Sequence, residues 1–248
     1  MPVDAVSAGG SSGAITIRIT DAERRLDLNT TTPTVLTRLL GDQTAAQAIV
    51  DYWDSGDEGV DQTVQPPYTP KNAPIGMLQE LWEIPAVSAD PALRSILAQQ
   101  GTVLVSGGGV NMNTATAEVL KALSEDDALA GLIDDVVASR PGVDGTLGTD
   151  DDCIATDTAT AASELALCAG LDETGEQSLI GLLSAIPYNV TSTVFAVEVV
   201  GQVSVPSVQH RLEVAVRRGP DPSSGGPPAG DLLTVEGESF RVLAWYEG

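Results

Sequence analysis

The chain has 248 residues, of which 42% are hydrophobic, and this is enough for one or two packed domains. It carries 35 Asp and Glu against 12 Lys and Arg, which gives a net charge of −23 at pH 7. A surface this acidic repels phosphate backbones and anionic lipid headgroups, so nucleic-acid binding and membrane-surface docking are disfavoured. With His210 as its single histidine, the chain also offers little support for histidine-based catalysis.

The N-terminal part predicts one strand. Residues 14–20 alternate apolar and polar side chains, which is typical of a half-buried strand. Residues 5–13 are rich in Ser and Gly and predict a flexible lead-in. The sequence contains neither a leader-like start nor a run of roughly 18 apolar residues that could span a membrane. We therefore expect a protein that is soluble as encoded, or one whose N-terminal segment lies outside this sequence.

The middle of the chain predicts helices. Thr32 and Pro33 fit an N-cap followed by proline at the first helical position, and Gly41 fits the end of that helix. Further helices are predicted at residues 44–53, 78–84, 91–100, 116–123, 126–138, 158–169 and 174–185. Residues 54–74, with four prolines, and residues 140–157, rich in Gly and Asp, predict two long loops.

Strands return in the C-terminal part. Alternating, β-branched segments predict strands at residues 193–205, 209–217 and 239–246. Strands at both ends with helices between them predict an α+β fold. We expect a small antiparallel β-sheet domain formed by residues 1–28 and 186–248, with an all-α domain of residues 29–185 inserted into it.

Two segments of the predicted α domain resemble each other. Residues 28–39 and 112–123 share Asn, Thr, Thr, Val, Leu and Leu at matched positions without a gap. Each contains an apolar anchor, a polar turn around Asn29 or Asn113, and a capped helix. Ordinary helix capping in two places would explain the pattern, but the ungapped coincidences favour an internal duplication.

The order of these motifs resembles the soluble part of the minor pseudopilin K family (GspK) of type II secretion systems. The resemblance covers roughly residues 14–218 and is carried by DAERRLDLNT, AIVDYWDSGDEGVD, NAPIGMLQELWEI, VNMNTATAEVLKAL and NVTSTVFAVEVVGQV. It implies a pilin-like small antiparallel β-sheet with a large inserted all-α domain of the helix-hairpin-helix, or SAM-like, type. Members of the family begin with a hydrophobic helix that this sequence lacks, so membrane attachment would depend on that absent helix.

The resemblance implies a non-enzymatic structural role. The expected protein caps the tip of a secretion pseudopilus and assembles with the I- and J-type minor pseudopilins on the periplasmic side of the bacterial inner membrane. One alternative is a stand-alone calcium-stabilised extracellular binding module. Another is a DNA-binding helix-hairpin-helix protein, which Asp27, Asp42 and Glu118 near the turns and the net charge of −23 disfavour.

Two acidic stretches are candidate Ca²⁺ sites. Clustered carboxylates repel one another, and a hard cation with oxygen ligands relieves that repulsion. The first candidate set is Asp144, Asp150, Asp151 and Asp152, with Asp157 as a further contributor. The second candidate set is Asp54, Asp57, Glu58 and Asp61. A solvated acidic surface is the alternative for both, and the family resemblance favours calcium because related pseudopilins bind it in their α domain.

The two cysteines leave one question open. Cys153 and Cys168 could form a disulfide, or they could be two buried free thiols. Closing a loop of this length would stabilise the fold by roughly 3 kcal/mol in the chain-entropy account.

Overall fold

The structure is a computed structural model that describes residues 3–10, 13–54, 70–104, 109–204, 207–219, 232–235 and 238–247. The chain divides into two compact units. The β unit combines Met1–Ala22 with Ser192–Gly248, and the helical unit is Glu23–Thr191.

The described elements are numbered here in chain order. The strands are β1 (Val3–Gly10), β2 (Gly13–Asp21), β3 (Leu26–Asp27), β4 (Gly101–Thr102), β5 (Val110–Asn111), β6 (Tyr188–Asn189), β7 (Val194–Ser204), β8 (Ser207–Arg218), β9 (Leu232–Val235) and β10 (Glu238–Glu247). The helices are α1 (Pro33–Leu40), α2 (Gln43–Trp53), α3 (Pro85–Ser88), α4 (Pro91–Gln100), α5 (Ala117–Leu123), α6 (Ala130–Ser139), α7 (Ala161–Cys168) and α8 (Glu173–Ala185). Two 3₁₀ helices span Leu78–Glu83 and Asp127–Leu129.

The β unit is an antiparallel sheet with the strand order β1-β2-β7-β8-β10-β9. Its centre is a hairpin in which β7 pairs with β8 from Val194↔Arg217 to Ser204↔Ser207. The predicted strand at residues 14–20 is confirmed as β2. The predicted flexible lead-in is wrong over residues 5–10, because β1 pairs with β2 and thereby satisfies the backbone groups on that edge of β2. Composition alone does not reveal such pairing.

The helical unit has one hydrophobic core. Its largest fully buried side chains are Leu28, Leu36, Ile49, Ile75, Leu81, Ile84, Leu97, Met112, Leu120, Ile133, Leu165 and Leu179. The first predicted helix is confirmed as α1, with the Thr32 side chain accepting from Val35 N at the N-cap. Gly41 ends it with φ of 70°, a left-handed conformation that glycine adopts without strain.

The unit boundaries lie further out than the predicted domain boundaries. The division falls after Ala22 and after Thr191, where the sequence suggested residues 28 and 185. The connecting segments belong to the helical core, because Leu26 and Leu28 are 4% and 0% exposed. The parallel pairs β3–β4 and β5–β6 also hold these segments within the helical unit.

Two predicted helices are subdivided. The helix predicted at residues 78–84 is the 3₁₀ helix Leu78–Glu83, followed by the separate helix α3. Pro85 at the first position of α3 has no N–H to continue the preceding helix, so a new one starts there. The helix predicted at residues 126–138 begins as the 3₁₀ helix Asp127–Leu129 and continues as α6.

Candidate functional site

The helical unit contains two asparagine turns of the same construction. In the first, Asn29 Nδ2 donates to Ile75 O at 3.1 Å, and Asn29 Oδ1 accepts from Ile75 N at 2.7 Å. Asp27 Oδ1 closes the turn by accepting from Asn29 N at 3.1 Å. The amide side chain pairs with the Ile75 backbone as a neighbouring strand would, so it fixes the backbone at a residue 46 positions along the chain.

The second turn repeats this arrangement. Asn113 Nδ2 donates to Ala155 O and to Val190 O, both at 2.8 Å, and Asn113 Oδ1 accepts from Ala155 N at 2.8 Å. Asn111 Oδ1 accepts from Asn113 N at 2.9 Å, in the position that Asp27 occupies in the first turn. The second asparagine therefore makes one more side-chain bond than the first.

The strand pairs follow the same plan. Leu28 N donates to Thr102 O, and Met112 N donates to Asn189 O, in each case at 2.9 Å. These bonds extend the parallel pairs β3–β4 and β5–β6. We therefore call residues 26–102 the first half of the helical unit and residues 110–189 the second half.

The two acidic stretches occupy equivalent places in the sequence of the two halves. In the first half, the stretch follows α2 and precedes Ile75, which Asn29 holds. In the second half, the loop after α6 ends at Ala155, which Asn113 holds. The sequence predictions did not include this equivalence, although the repeated asparagine turn was the signal that could have revealed it.

Asp151 organises the acidic loop of the second half. Its Oδ2 accepts from Val143 N at 2.6 Å and from Asp144 N at 3.0 Å. Its Oδ1 accepts from Thr149 Oγ1 at 2.7 Å. The Thr149 hydroxyl, followed by the backbone amides, holds the pKa of Asp151 below its usual value because these donors stabilise the carboxylate.

The other carboxylates of this loop also accept from the backbone. Asp144, Asp152 and Asp157 accept from the amides of Thr146, Gly148 and Ala159 at 2.6, 2.7 and 2.8 Å. Asp150 is exposed. The bonds direct the carboxylates toward separate amides rather than toward one point. Among the residues that the structure describes, no group of three or more His, Cys, Asp or Glu side chains could hold a metal ion.

One oxygen in this loop has no partner. Asp152 Oδ1 is buried and makes no hydrogen bond, whereas Asp152 Oδ2 accepts from Gly148 N. An unpaired buried carboxylate oxygen is costly, and a hard cation would satisfy it. This atom is the observation that favours calcium, and it makes Asp152 the ligand around which a site would form.

The second candidate set is mostly outside the described residues. Asp57, Glu58 and Asp61 lie there, so their prediction as calcium ligands stays a prediction. Asp54 is described and ends α2, with its backbone N donating to Val50 O at 2.9 Å.

Glu80 anchors residues 71–77 and Tyr52 of α2. Its Oε2 accepts from Lys71 Nζ at 2.7 Å and from Tyr52 Oη at 3.2 Å. Its Oε1 accepts from the amides of Gly76 and Met77 at 3.0 Å. Burial alone would raise the pKa of Glu80, but the bonds from Lys71 and the amides outweigh it and lower that pKa. Burial and the bond to Glu80 raise the pKa of Tyr52 to about 12.

Arg140 takes the corresponding anchoring role in the second half, and the sequence predictions missed it. Its side chain is 6% exposed, and Nη2 donates to Met112 O at 2.6 Å. Nη1 donates to Ala115 O. Burial, with a smaller contribution from the neighbouring Arg24, lowers the pKa of Arg140 to about 10, so it remains charged at neutral pH.

Two links tie the second loop to α7. Cys153 and Cys168 form a disulfide, which settles the question left open by the sequence. Glu164 accepts from Thr156 N at 2.7 Å and from Thr156 Oγ1 at 2.9 Å. These bonds, together with one from Thr160, lower the pKa of Glu164 because they stabilise its charged form.

Comparison with known proteins identifies the fold. No protein-family model and no curated protein matches the chain. None of the described helices is both long enough and apolar enough to span a membrane. Among solved structures, the chain is similar to a chain of the GspK–GspI–GspJ complex from the type II secretion system of enterotoxigenic Escherichia coli, with a TM-score of 0.61 and 15% identity. The match covers 98% of this chain and 83% of the other, so the resemblance to GspK is confirmed at the level of the fold.

Proposed function

We propose that the chain is a structural component of a type II secretion pseudopilus, a K-type minor pseudopilin that caps its tip. The observation that carries the proposal is the fold match to a chain of the GspK–GspI–GspJ complex over 98% of this chain. In this interpretation the β unit is a pilin-like sheet. The helical unit, which lies between β2 and β7 in the sequence, is a helix-hairpin-helix or SAM-like domain inserted into that sheet.

The proposed partners are the I- and J-type minor pseudopilins, on the periplasmic side of the inner membrane. The β unit offers apolar surface for such contacts. Ile15, Val203 and Val208 are 49%, 45% and 41% exposed on three neighbouring strands. Val203 pairs directly with Val208, and Ile15 lies two residues from Gly13, which pairs with Val203 on the other side. In this proposal the bulk of the helical unit blocks the addition of further pilins.

The proposal assigns no reaction to the protein. His210 is exposed on β8 and pairs through its backbone with Gly201. The carboxylates with lowered pKa, among them Asp151 and Glu164, accept from backbone amides and Thr hydroxyls that hold loops in place. Such bonds are typical of structural carboxylates rather than of general acids, whose pKa must be raised.

Co-purification with I- and J-type partners tests the proposal. We expect the full chain to elute with both partners as one complex at micromolar concentration. Ile15→Asp should weaken the complex at least about tenfold, since it places a charge in an apolar contact. Ile180→Asp is the matched control, because Ile180 is also exposed, at 40%, but lies on α8 of the helical unit.

Absence of a complex, with every component folded, would contradict the proposed role. If the Ile15 and Ile180 variants weakened the complex equally, the partnership itself would still stand. The sheet would then be ruled out as the contact surface.

We further propose that the second loop binds Ca²⁺ through Asp152, with Asp144, Asp150 and Asp151 nearby. The support is the buried, unpartnered Asp152 Oδ1 in a loop with four carboxylates in nine residues. Calcium bound to the folded state would raise the melting temperature by mass action. Asp152→Asn should abolish this rise. Asp135→Asn, which changes an exposed carboxylate of α6 outside both candidate sets, is the control and should not. If the melting curves in EDTA and in calcium were identical, the proposed calcium site would be ruled out.

A further inference from the structure

Exposed aliphatic side chains cluster around the disulfide of the helical unit. Val143 is 99% exposed, Leu167 83%, Leu147 51% and Ile154 48%. These four account for nearly half of the nine large hydrophobic side chains that are exposed among the described residues. We call Val143, Leu147, Ile154 and Leu167 the disulfide patch.

The chain places the disulfide patch around the link between Cys153 and Cys168. Ile154 follows Cys153 and Leu167 precedes Cys168, and the Cα atoms of the two bonded cysteines are 5.8 Å apart. Val143 is joined to the same region because its N donates to Asp151 Oδ2 at 2.6 Å. Both chain segments therefore present their apolar side chains around one covalent link.

The patch is held in a fixed conformation. Gly142 has φ of 65°, and a Cβ there would lie 2.2 Å from Asp151 O, so only glycine permits this close approach. Asp151 binds the amides of Val143 and Asp144 across the loop. These contacts order the backbone that carries Val143. Exposed apolar surface on a fixed loop is typical of a contact site for another molecule.

The charge around the patch selects the partner. Asp144, Asp150 and Asp151 are exposed beside the aliphatic side chains. Arg140 is the only cation between residues 140 and 168, and it is buried. Acidic rims repel anionic lipids and nucleic acid, and at a net charge of −23 they also repel a second copy of this chain.

We propose that the disulfide patch is a docking surface for a protein partner whose contact surface has an apolar recess rimmed by Lys and Arg. The aliphatic side chains would fill the recess, and the carboxylates would pair with the cationic rim and orient the partner. The proposal rests on the described residues of the helical unit and does not depend on the role in secretion.

Methyl NMR of the full chain with two synthetic amphipathic peptides tests the proposal. The peptides share one leucine pattern and carry either Lys or Glu on the polar face. We expect the Lys peptide to shift the methyl signals of the disulfide patch saturably, and the Glu peptide to leave them unchanged. The double variant Val143→Ser, Leu167→Ser should lower the affinity for the Lys peptide at least about tenfold. Ile180→Ser, which removes an exposed side chain on α8, is the control and should not.

Charge reversal adds an independent measurement. Asp150→Lys reverses an exposed charge beside the patch and is measured in EDTA, so that the proposed calcium site stays empty. It should weaken binding of the Lys peptide and strengthen binding of the Glu peptide. The proposal is overturned if the Lys peptide binds the double serine variant as tightly as the parent chain. It is also overturned if the Lys peptide shifts methyl signals near every acidic surface of the chain. Two further results would overturn it: a dimer formed through the patch in sedimentation, or binding of the patch to lipid vesicles.

Discussion

The two halves of the helical unit share one framework and anchor it differently. In both halves an asparagine side chain pairs with the backbone of a residue far along the chain, Ile75 or Ala155. The first half adds an ion pair and hydrogen bonds centred on Glu80. The second half adds the buried Arg140 and a disulfide. The asparagine turn is therefore the constant element of the framework, and the loop anchors vary.

Replacing the two asparagines should produce the largest losses in stability, and the loss should be larger in the second half than in the first. Asn113→Ala removes three side-chain bonds to Ala155 and Val190, and we expect it to lower the free energy of unfolding by roughly 4 kcal/mol. Asn29→Ala removes two bonds to Ile75 and should cost roughly 3 kcal/mol. Denaturant unfolding measures both. A larger loss from Asn29→Ala would contradict the comparison.

Removing the disulfide should affect the second half more than the first. Cys153→Ser with Cys168→Ser should lower the free energy of unfolding by roughly 3 kcal/mol, because the unfolded chain regains the entropy of an open loop. Amide hydrogen exchange should accelerate more in α7 than in α1, because local opening near the lost link adds to the global effect. Equal acceleration in both helices would show that the halves unfold as one unit.

Acid should weaken the anchor of the first half. The folded-state pKa of Glu80 is depressed, so its contribution is fully present above the unfolded value of about 4.3 and is lost as pH falls through the folded pKa. Glu80→Gln should therefore cost about 1 to 2 kcal/mol at pH 7 and almost nothing at low pH. Unfolding measured across this pH range checks the prediction, and a difference that does not depend on pH would contradict it.

The helix caps should show the smallest effects and the closest agreement between the halves. Thr32 and Thr116 each accept from a backbone amide at 3.3 Å, at Val35 and Val119. Either alanine substitution should cost about 1 kcal/mol. Thr116→Ala should cost slightly more, since Thr116 Oγ1 also donates to Gln100 Oε1 at 2.7 Å. A large difference between the two variants in thermal melts would argue against equivalent turns.

The sequence predicted features that depend on neighbouring residues. The Thr32-Pro33 start and Gly41 end of α1 follow from local backbone chemistry, and the structure has them. The alternation that predicts β2 is equally local. The α+β class with an antiparallel sheet follows from the order of such signals along the chain.

Features that depend on contacts between distant residues were not predicted. Pairing of β1 with β2 depends on a free strand edge, which Ser- and Gly-rich composition does not show. Arg140 holds carbonyls at Met112 and Ala115, and nothing beside it in the sequence indicates burial. The hydrogen bonds that Asp144 and Asp151 accept from Thr146 N and Asp144 N were not predicted either, because the spacing of acidic residues does not show which amides a folded loop brings close to them.

The proposed role as a K-type minor pseudopilin requires that the chain assemble with I- and J-type partners. The most direct measurement is the mass of the species that forms when the chain is mixed with I- and J-type minor pseudopilins, determined by sedimentation or light scattering. We predict a single complex with one copy of each of the three proteins. If the folded chain sediments alone at concentrations where I and J associate with each other, the proposed role is contradicted.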